Sequence, residues 1–189
     1  MNEKQIKVVA IGNGAINALD SLKSGLFKDI ELVAIGSEKE VIDNCVADNK
    51  LTLGDGIYGA IGNPIKGELW AKDNSEKIKK ILNTGSKICI ICALGGGTGS
   101  GALPVVVQIA QELNIFAKII ATFPLNLEGN KRNKQSETAI EKTKKYNENI
   151  DIIYLNKIIE NLPPKSIYKD IFLIANEMIE KKIIKFINE

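Results

Sequence analysis

The sequence predicts an α/β fold of the Rossmann-like, doubly wound kind: a mainly parallel sheet with helices on both faces, ending in a long C-terminal helix. Three observations carry this. Short, almost wholly apolar runs alternate with longer runs of helical character, and strands apolar on both faces belong in a parallel sheet covered twice. A glycine turn, Gly12-Asn13-Gly14, follows the first apolar run. A longer one, Gly95-Gly96-Gly97-Thr98-Gly99-Ser100-Gly101, follows the run that ends at Leu94. Turns that lead from strand to helix are where an open α/β sheet receives its ligand.

Taken in order, Ile6–Ile11, Ile30–Ile35, Ile88–Leu94, Ala117–Thr122 and Ile150–Leu155 are the predicted strands, short and rich in Ile and Val. The predicted helices are Ala15–Ser24, Glu38–Ala47, Ser75–Leu82, Ala102–Leu113, Lys131–Tyr146 and Tyr168–Ile187. Leu51–Lys66 stands apart as a glycine-rich loop (Gly54, Gly56, Gly59, Gly62) closed by Asn63-Pro64. Pro163-Pro164 breaks the chain before the last helix.

A length of 189 residues is expected to form a single domain, 1–189, with an ordinary core. The net charge of +2 excludes nucleic acid or an anionic membrane as the expected partner. The Lys-rich stretches Lys77 to Lys80, Lys131 to Lys145 and Lys181 to Lys185 are interleaved with Glu and Ile, as on solvated helix faces. No signal peptide is visible and no apolar run is long enough for a bilayer, so a cytoplasmic location is expected.

The chain has no histidine, which removes His-based triads, general acid/base chemistry and metal sites. Cys45, Cys89 and Cys92 lie in apolar surroundings. Cys89 and Cys92 have the spacing of a redox or metal pair, but three residues along a strand point to opposite faces, so core packing is expected.

The run from Gly95 to Gly101 can fold tightly over a ligand with its amides inward, and the next helix adds its positive end. No Gly-Lys-Ser/Thr follows, so it is not a Walker loop. Phosphate charge is to be met by backbone dipoles, by the Thr98 or Ser100 hydroxyl, and by a hydrated Mg2+ held through water and phosphate oxygens. Gly12-Asn13-Gly14 begins like a dinucleotide fingerprint, but Asn17 stands at its third glycine.

The run Gly95-Gly96-Gly97-Thr98-Gly99-Ser100-Gly101 resembles the signature of the tubulin/FtsZ superfamily, and Ile6 to the end resembles the GTP-binding domain of FtsZ. The resemblance implies a cytoskeletal or cell-division role and binding of GTP or GDP. It places phosphates on Gly95–Gly101 and on Gly12, Asn13 and Gly14. Asn17 falls where the family has a guanine-contacting Asn, and Asn156 where it has another base-contacting Asn. Thr122 to Arg132 is similar to the segment whose Glu and Arg, here Glu128 and Arg132, reach ribose and phosphates. Phe172 would stack on guanine, and Asn176, one turn on, would read its edge.

Two departures fall on the terminal-phosphate side: Gly36-Ser37-Glu38 replaces an Asn-Thr-Asp-like run, and the Gly54–Lys66 loop reads as shorter. The family's water-activating acidic loop, second domain and tail lie beyond the position of Glu189. Little or no hydrolysis, with no catalytic residue, is therefore expected of this chain alone. The same resemblance implies capping or modulation of filaments by docking a full-length FtsZ-like subunit on the nucleotide face. Two other readings stand beside it. One is a Rossmann-type enzyme using NAD, for which Glu38 is a poor ribose acid; the other is an interaction module with a decayed pocket.

Overall fold

A computed structural model describes residues 6–23, 29–83, 87–163 and 165–189. Its strands are β1 (Ile6–Ile11), β2 (Ile30–Gly36), β3 (Asn49–Thr52), β4 (Lys87–Ala93), β5 (Phe116–Phe123) and β6 (Ile150–Tyr154). They form one six-stranded sheet in the order β3-β2-β1-β4-β5-β6, every neighbouring pair parallel. The order reverses between β1 and β4. That is the switch point where the loops after adjacent strands part and leave a crevice.

The helices are α1 (Asn13–Leu19), α2 (Lys39–Asn44), α3 (Pro64–Asp73), α4 (Ser75–Leu82), α5 (Gly97–Glu112), α6 (Asn130–Lys144), α7 (Leu155–Ile159) and α8 (Tyr168–Asn188). A 3-10 turn, Asp20–Lys23, follows α1, and another, Asn126–Glu128, precedes α6. Each sheet face has its own core. Val8 and Ala10 pack with α1 and α8, while Val9 and Ile11 pack with α4 and α5. Cys89 joins the first cluster and Cys92 the second, the opposite faces expected of their spacing. Burial pushes the Cys89 thiol up to about 12 and raises Cys92 as well, so neither is a thiolate at neutral pH. Lys7 is fully buried on β1 but donates to Glu31 Oε1 at 3.0 Å and to the Ile81 carbonyl, which compensates the desolvated charge.

The five predicted strands are present; β3, α3 and α7 were not expected. Strand β3 is a short sheet edge with only Leu51 buried, so it lacks the apolar run that marked the others. Helix α3 takes over the last three residues of the expected loop, Pro64–Lys66, and continues to Asp73; with only Gly67 and Ala71 buried it has no apolar periodicity to mark it. Its start is nevertheless well specified: Pro64 stands at N1, and Asn63 Oδ1 accepts from the Ile65 amide at 3.0 Å.

Helix α5 begins at Gly97, five residues before the expected Ala102. Glycine is a poor helix former, and here tertiary contact overrides propensity. Helices α3 and α5 cross with almost no space between their backbones. A Cβ on Gly101 would overlap the Pro64 carbonyl oxygen, and one on Gly67 would overlap the Gly97 carbonyl oxygen. The helix ending at Ser24 and the Pro163-Pro164 break reach Ser24 and Pro164, which lie outside the described residues. No described helix is long and apolar enough to cross a membrane.

Candidate functional site

A cavity of about 470 Å³ opens at the carboxyl ends of β1, β4 and β5, at the switch point. Its floor is built from backbone. Gly12, with φ of 81°, turns the chain from β1 into α1, and its amide donates to the Ile35 carbonyl at 2.9 Å. The start of α5 is pressed against this turn, since a Cβ on Gly12 would stand 3.1 Å from the Gly99 nitrogen. Gly12, Asn13, Gly14 and Gly96 to Gly99 all line the cavity. Gly97, Thr98 and Gly99 form the first turn of a 16-residue helix whose N-cap supplies no side-chain bond. Their amides have no carbonyl one turn earlier, and they carry the positive end of the helix dipole.

Gly95, Ser100 and Gly101 do not line the cavity. Gly95 makes the turn with φ of 88°, and its amide donates to Ser100 Oγ at 2.9 Å. The buried Ser100 hydroxyl thus braces its own loop, and Gly101 belongs to the crossing with α3. Thr98 does line the cavity, but its Oγ1 is 2.5 Å from Ser37 Oγ in a buried hydroxyl pair. The floor therefore offers amides more than free hydroxyls.

One wall carries the polar side chains. Glu128 Oε1 accepts from the Leu125 amide at 2.9 Å, and Oε2 accepts from Arg132 Nη1 at 2.6 Å. The carboxylate aims the guanidinium and leaves its other donors to the cavity. Arg132 is the one cationic side chain among the described lining residues; the carboxylates there are Glu128 and Glu38. Asn13 Oδ1 is buried without a hydrogen-bond partner, as is Asn133 Oδ1 on α6. A buried polar atom without a partner on a cavity wall calls for a ligand or water.

The far end is apolar. Pro124, Leu155, Tyr168 and Phe172 line it. The three amides expected there do not: Asn17 is exposed on α1, Asn156 Oδ1 accepts from the Asn126 amide at 3.2 Å, and Asn176 is half-buried one turn past Phe172. Tyr168 escaped sequence reasoning although it precedes Phe172 by four residues, the spacing that puts two rings on one helix face.

The roof is the loop before α3, through Tyr58, Ala60, Ile61 and Gly62. It is held at three points. Gly54 lies flat against the Trp70 ring, the Gly56 carbonyl accepts from the Lys39 amide at 2.8 Å, and the Gly62 carbonyl accepts from Gln135 Nε2 at 2.9 Å. Ile61 has φ of 49°, a strained conformation for a β-branched residue. Glu38 reaches the same region; a Cβ on Gly59 would be 3.0 Å from Glu38 Oε1. No cluster of three or more His, Cys, Asp or Glu groups suits a metal among the described residues. The shape suits a ligand with an anionic end on the floor and a flat apolar end at the aromatic wall.

Comparison with known proteins matches residues 5–162 to the Tubulin/FtsZ family, GTPase domain. The cell division protein FtsZ of Aquifex aeolicus is 30% identical over 186 residues, covering 97% of this chain and 51% of that protein. An empty FtsZ dimer of M. jannaschii superposes with a TM-score of 0.88 at 30% identity, over 95% of this chain and 53% of that one. CetZ2 from Haloferax volcanii, a GTPgS-bound protofilament, shares the fold with a TM-score of 0.83 at 15% identity, over 96% and 57% of the two chains. The chain spans about half the length of the curated relatives it matches.

Proposed function

This chain belongs to the tubulin/FtsZ family, as its match to the GTPase domain over residues 5–162 shows, and from that premise we propose that the switch-point cavity binds GTP or GDP. The observation that carries the reading is the polarity of the cavity: unpaired helix-start amides at one end and aromatic rings at the other. Phosphates lie over Gly96 to Gly99 and the Gly12–Gly14 turn, where backbone dipoles meet their charge. Glu128 accepts from the ribose hydroxyls, Arg132 reaches phosphate oxygens, and Phe172 stacks on guanine.

A hydrated Mg2+ fits the donor set, with phosphate oxygens and water as its ligands and Glu38 beside the Ser37–Thr98 pair as the neighbouring carboxylate. Its chemistry would be to neutralise phosphate charge. Hydrolysis by this chain alone is slow in this reading. Of the two lining carboxylates, Glu128 is engaged by Leu125 and Arg132, which leaves only Glu38 to orient water.

Titration of the purified chain with GTP, GDP, ATP and NAD in magnesium buffer tests the reading. Saturable binding of GTP and GDP alone is expected. NAD is the informative control, because a dinucleotide site needs a ribose acid after β2, and Glu38, two residues past the strand, is the lining carboxylate there and a poor fit to that position. Binding of NAD without guanine nucleotides would replace this function with the dinucleotide one, and binding of nothing would sink both.

The rim of the cavity also supports docking of a full-length FtsZ-like subunit on the nucleotide face. Ile57, Tyr58, Ile61 and Leu127 are each 68 to 75% exposed beside it, an apolar group of the kind that partners cover. The chain would then cap or modulate that partner's filaments. Equimolar addition to an assembling relative should shorten filaments; unchanged length and turnover would rule this role out.

A further inference from the structure

We propose that Tyr168 is a base-positioning residue, forming with Phe172 an aromatic corner that holds the nucleobase and sets its affinity. The inference rests on the nucleotide reading above and goes beyond it by assigning a second wall to the base. Tyr168 is the first residue of α8, and Phe172 lies one turn further along the same side; Ile171 between them turns into the core. Both rings line the cavity, 50% and 40% exposed, with centroids 5.1 Å apart and planes at 65°. Two rings set edge to face leave a recess with one flat wall and one steep wall. A planar base laid on the Phe172 face meets the Tyr168 ring at its side and covers apolar surface that is otherwise wet.

Two further observations support the corner. First, its outer ring is anchored. Asp170 Oδ2 accepts from the Ile167 amide at 2.8 Å, which fixes the first turn of α8 and with it the Tyr168 backbone. Second, Pro124 and Leu155 line the same end of the cavity, so the recess around the two rings is apolar. Base affinity then comes from stacking and shape. Because the corner is at the opposite end from the α5 amides, it acts equally on di- and triphosphates.

The test is calorimetric titration of GDP and GTP into Tyr168→Phe, Tyr168→Leu and Tyr168→Ala. Tyr168→Phe keeps the ring and should bind like the parent. The leucine and alanine variants should bind both nucleotides about tenfold more weakly, by the same factor for each, as expected for a lost base contact. The leucine variant keeps apolar bulk at a half-exposed position, so it reports on the ring even if the alanine variant unfolds. Parent-like affinity in Tyr168→Leu would overturn the proposal, as would a loss for GTP that GDP does not share. Failure of the parent chain to bind either nucleotide would instead overturn the functional reading beneath it.

Discussion

Two glycine-rich segments bound the same cavity, and glycine serves a different physical end in each. Within Gly95–Gly101, Gly97, Gly99 and Gly101 pack backbone on backbone, while Gly95 makes the turn at φ of 88°. Gly101 lets α5 touch α3, Gly97 lets it touch the Asn63 backbone just before α3, and a Cβ on Gly99 would come 2.5 Å from the Ala93 carbonyl oxygen. In the loop from Gly54 to Gly62, all four glycines adopt φ between 62° and 76°. There glycine supplies a left-handed backbone, which side chains disfavour by about 1–2 kcal/mol per residue. The first segment is a rigid floor and the second a shaped roof. A count of glycines in the sequence does not distinguish them.

Substitutions separate the two roles, and Gly101→Ala has the largest expected effect. Its methyl group overlaps the backbone of α3 on both sides, so the fold should lose about 3 kcal/mol, seen as a lower denaturation midpoint. Full stability in that variant would break the comparison. Gly96→Ala comes next and reads the site instead. Nothing lies within 4 Å of its Cβ and Gly96 lines the cavity, so stability should hold. Nucleotide affinity should fall about tenfold as the methyl displaces a phosphate, equivalent to about 1.4 kcal/mol.

Gly62→Ala sharpens the other half. With φ of 65° and nothing within 4 Å, its loss of about 1 kcal/mol is backbone strain alone, measurable by urea unfolding. The smallest effect is on pH. Glu68 of α3 is bonded to Lys142 of α6 and to Lys72; the Lys142 bond, then the Lys72 bond, hold its carboxyl below the usual 4.5. A lowered folded value means stability that is present above 4.5 and lost as the pH falls through the folded value. Glu68→Gln should therefore be slightly less stable than the parent at neutral pH, by less than about 1 kcal/mol, and the difference should vanish in acid. A gap that persists in acid would assign the effect to packing.

The sheet was legible because β1, β2, β4 and β5 are largely buried and read as apolar runs; β6 has only Ile153 buried but still carries three isoleucines in five residues, whereas β3 (Asn49–Thr52) has one apolar residue and left no such mark. Helix α3 was illegible for the reason that makes it useful: its face toward α5 is Gly67, and close approach of two backbones has no apolar periodicity to betray it. Ten of the expected site residues line the cavity: Gly12, Asn13, Gly14, Gly96, Gly97, Thr98, Gly99, Glu128, Arg132 and Phe172. Of the others, the Ser100 hydroxyl accepts from the Gly95 amide and Asn156 accepts from the Asn126 amide, contacts that neither motif nor spacing reveals. The roof residues Tyr58 and Ile61 and the ring of Tyr168 become visible as cavity wall only in three dimensions.

The contact between Gly54 and Trp70 gives the protein a built-in optical probe. Trp70 is the only tryptophan in the chain, with the roof loop's first glycine flat on its indole and the Lys66 ammonium 4.5 Å above the ring. Its emission thus samples the place where the loop meets the second core. A displacement of the roof would change the cover of the indole and move its emission. Tryptophan emission recorded during a nucleotide titration is therefore a label-free readout of the roof.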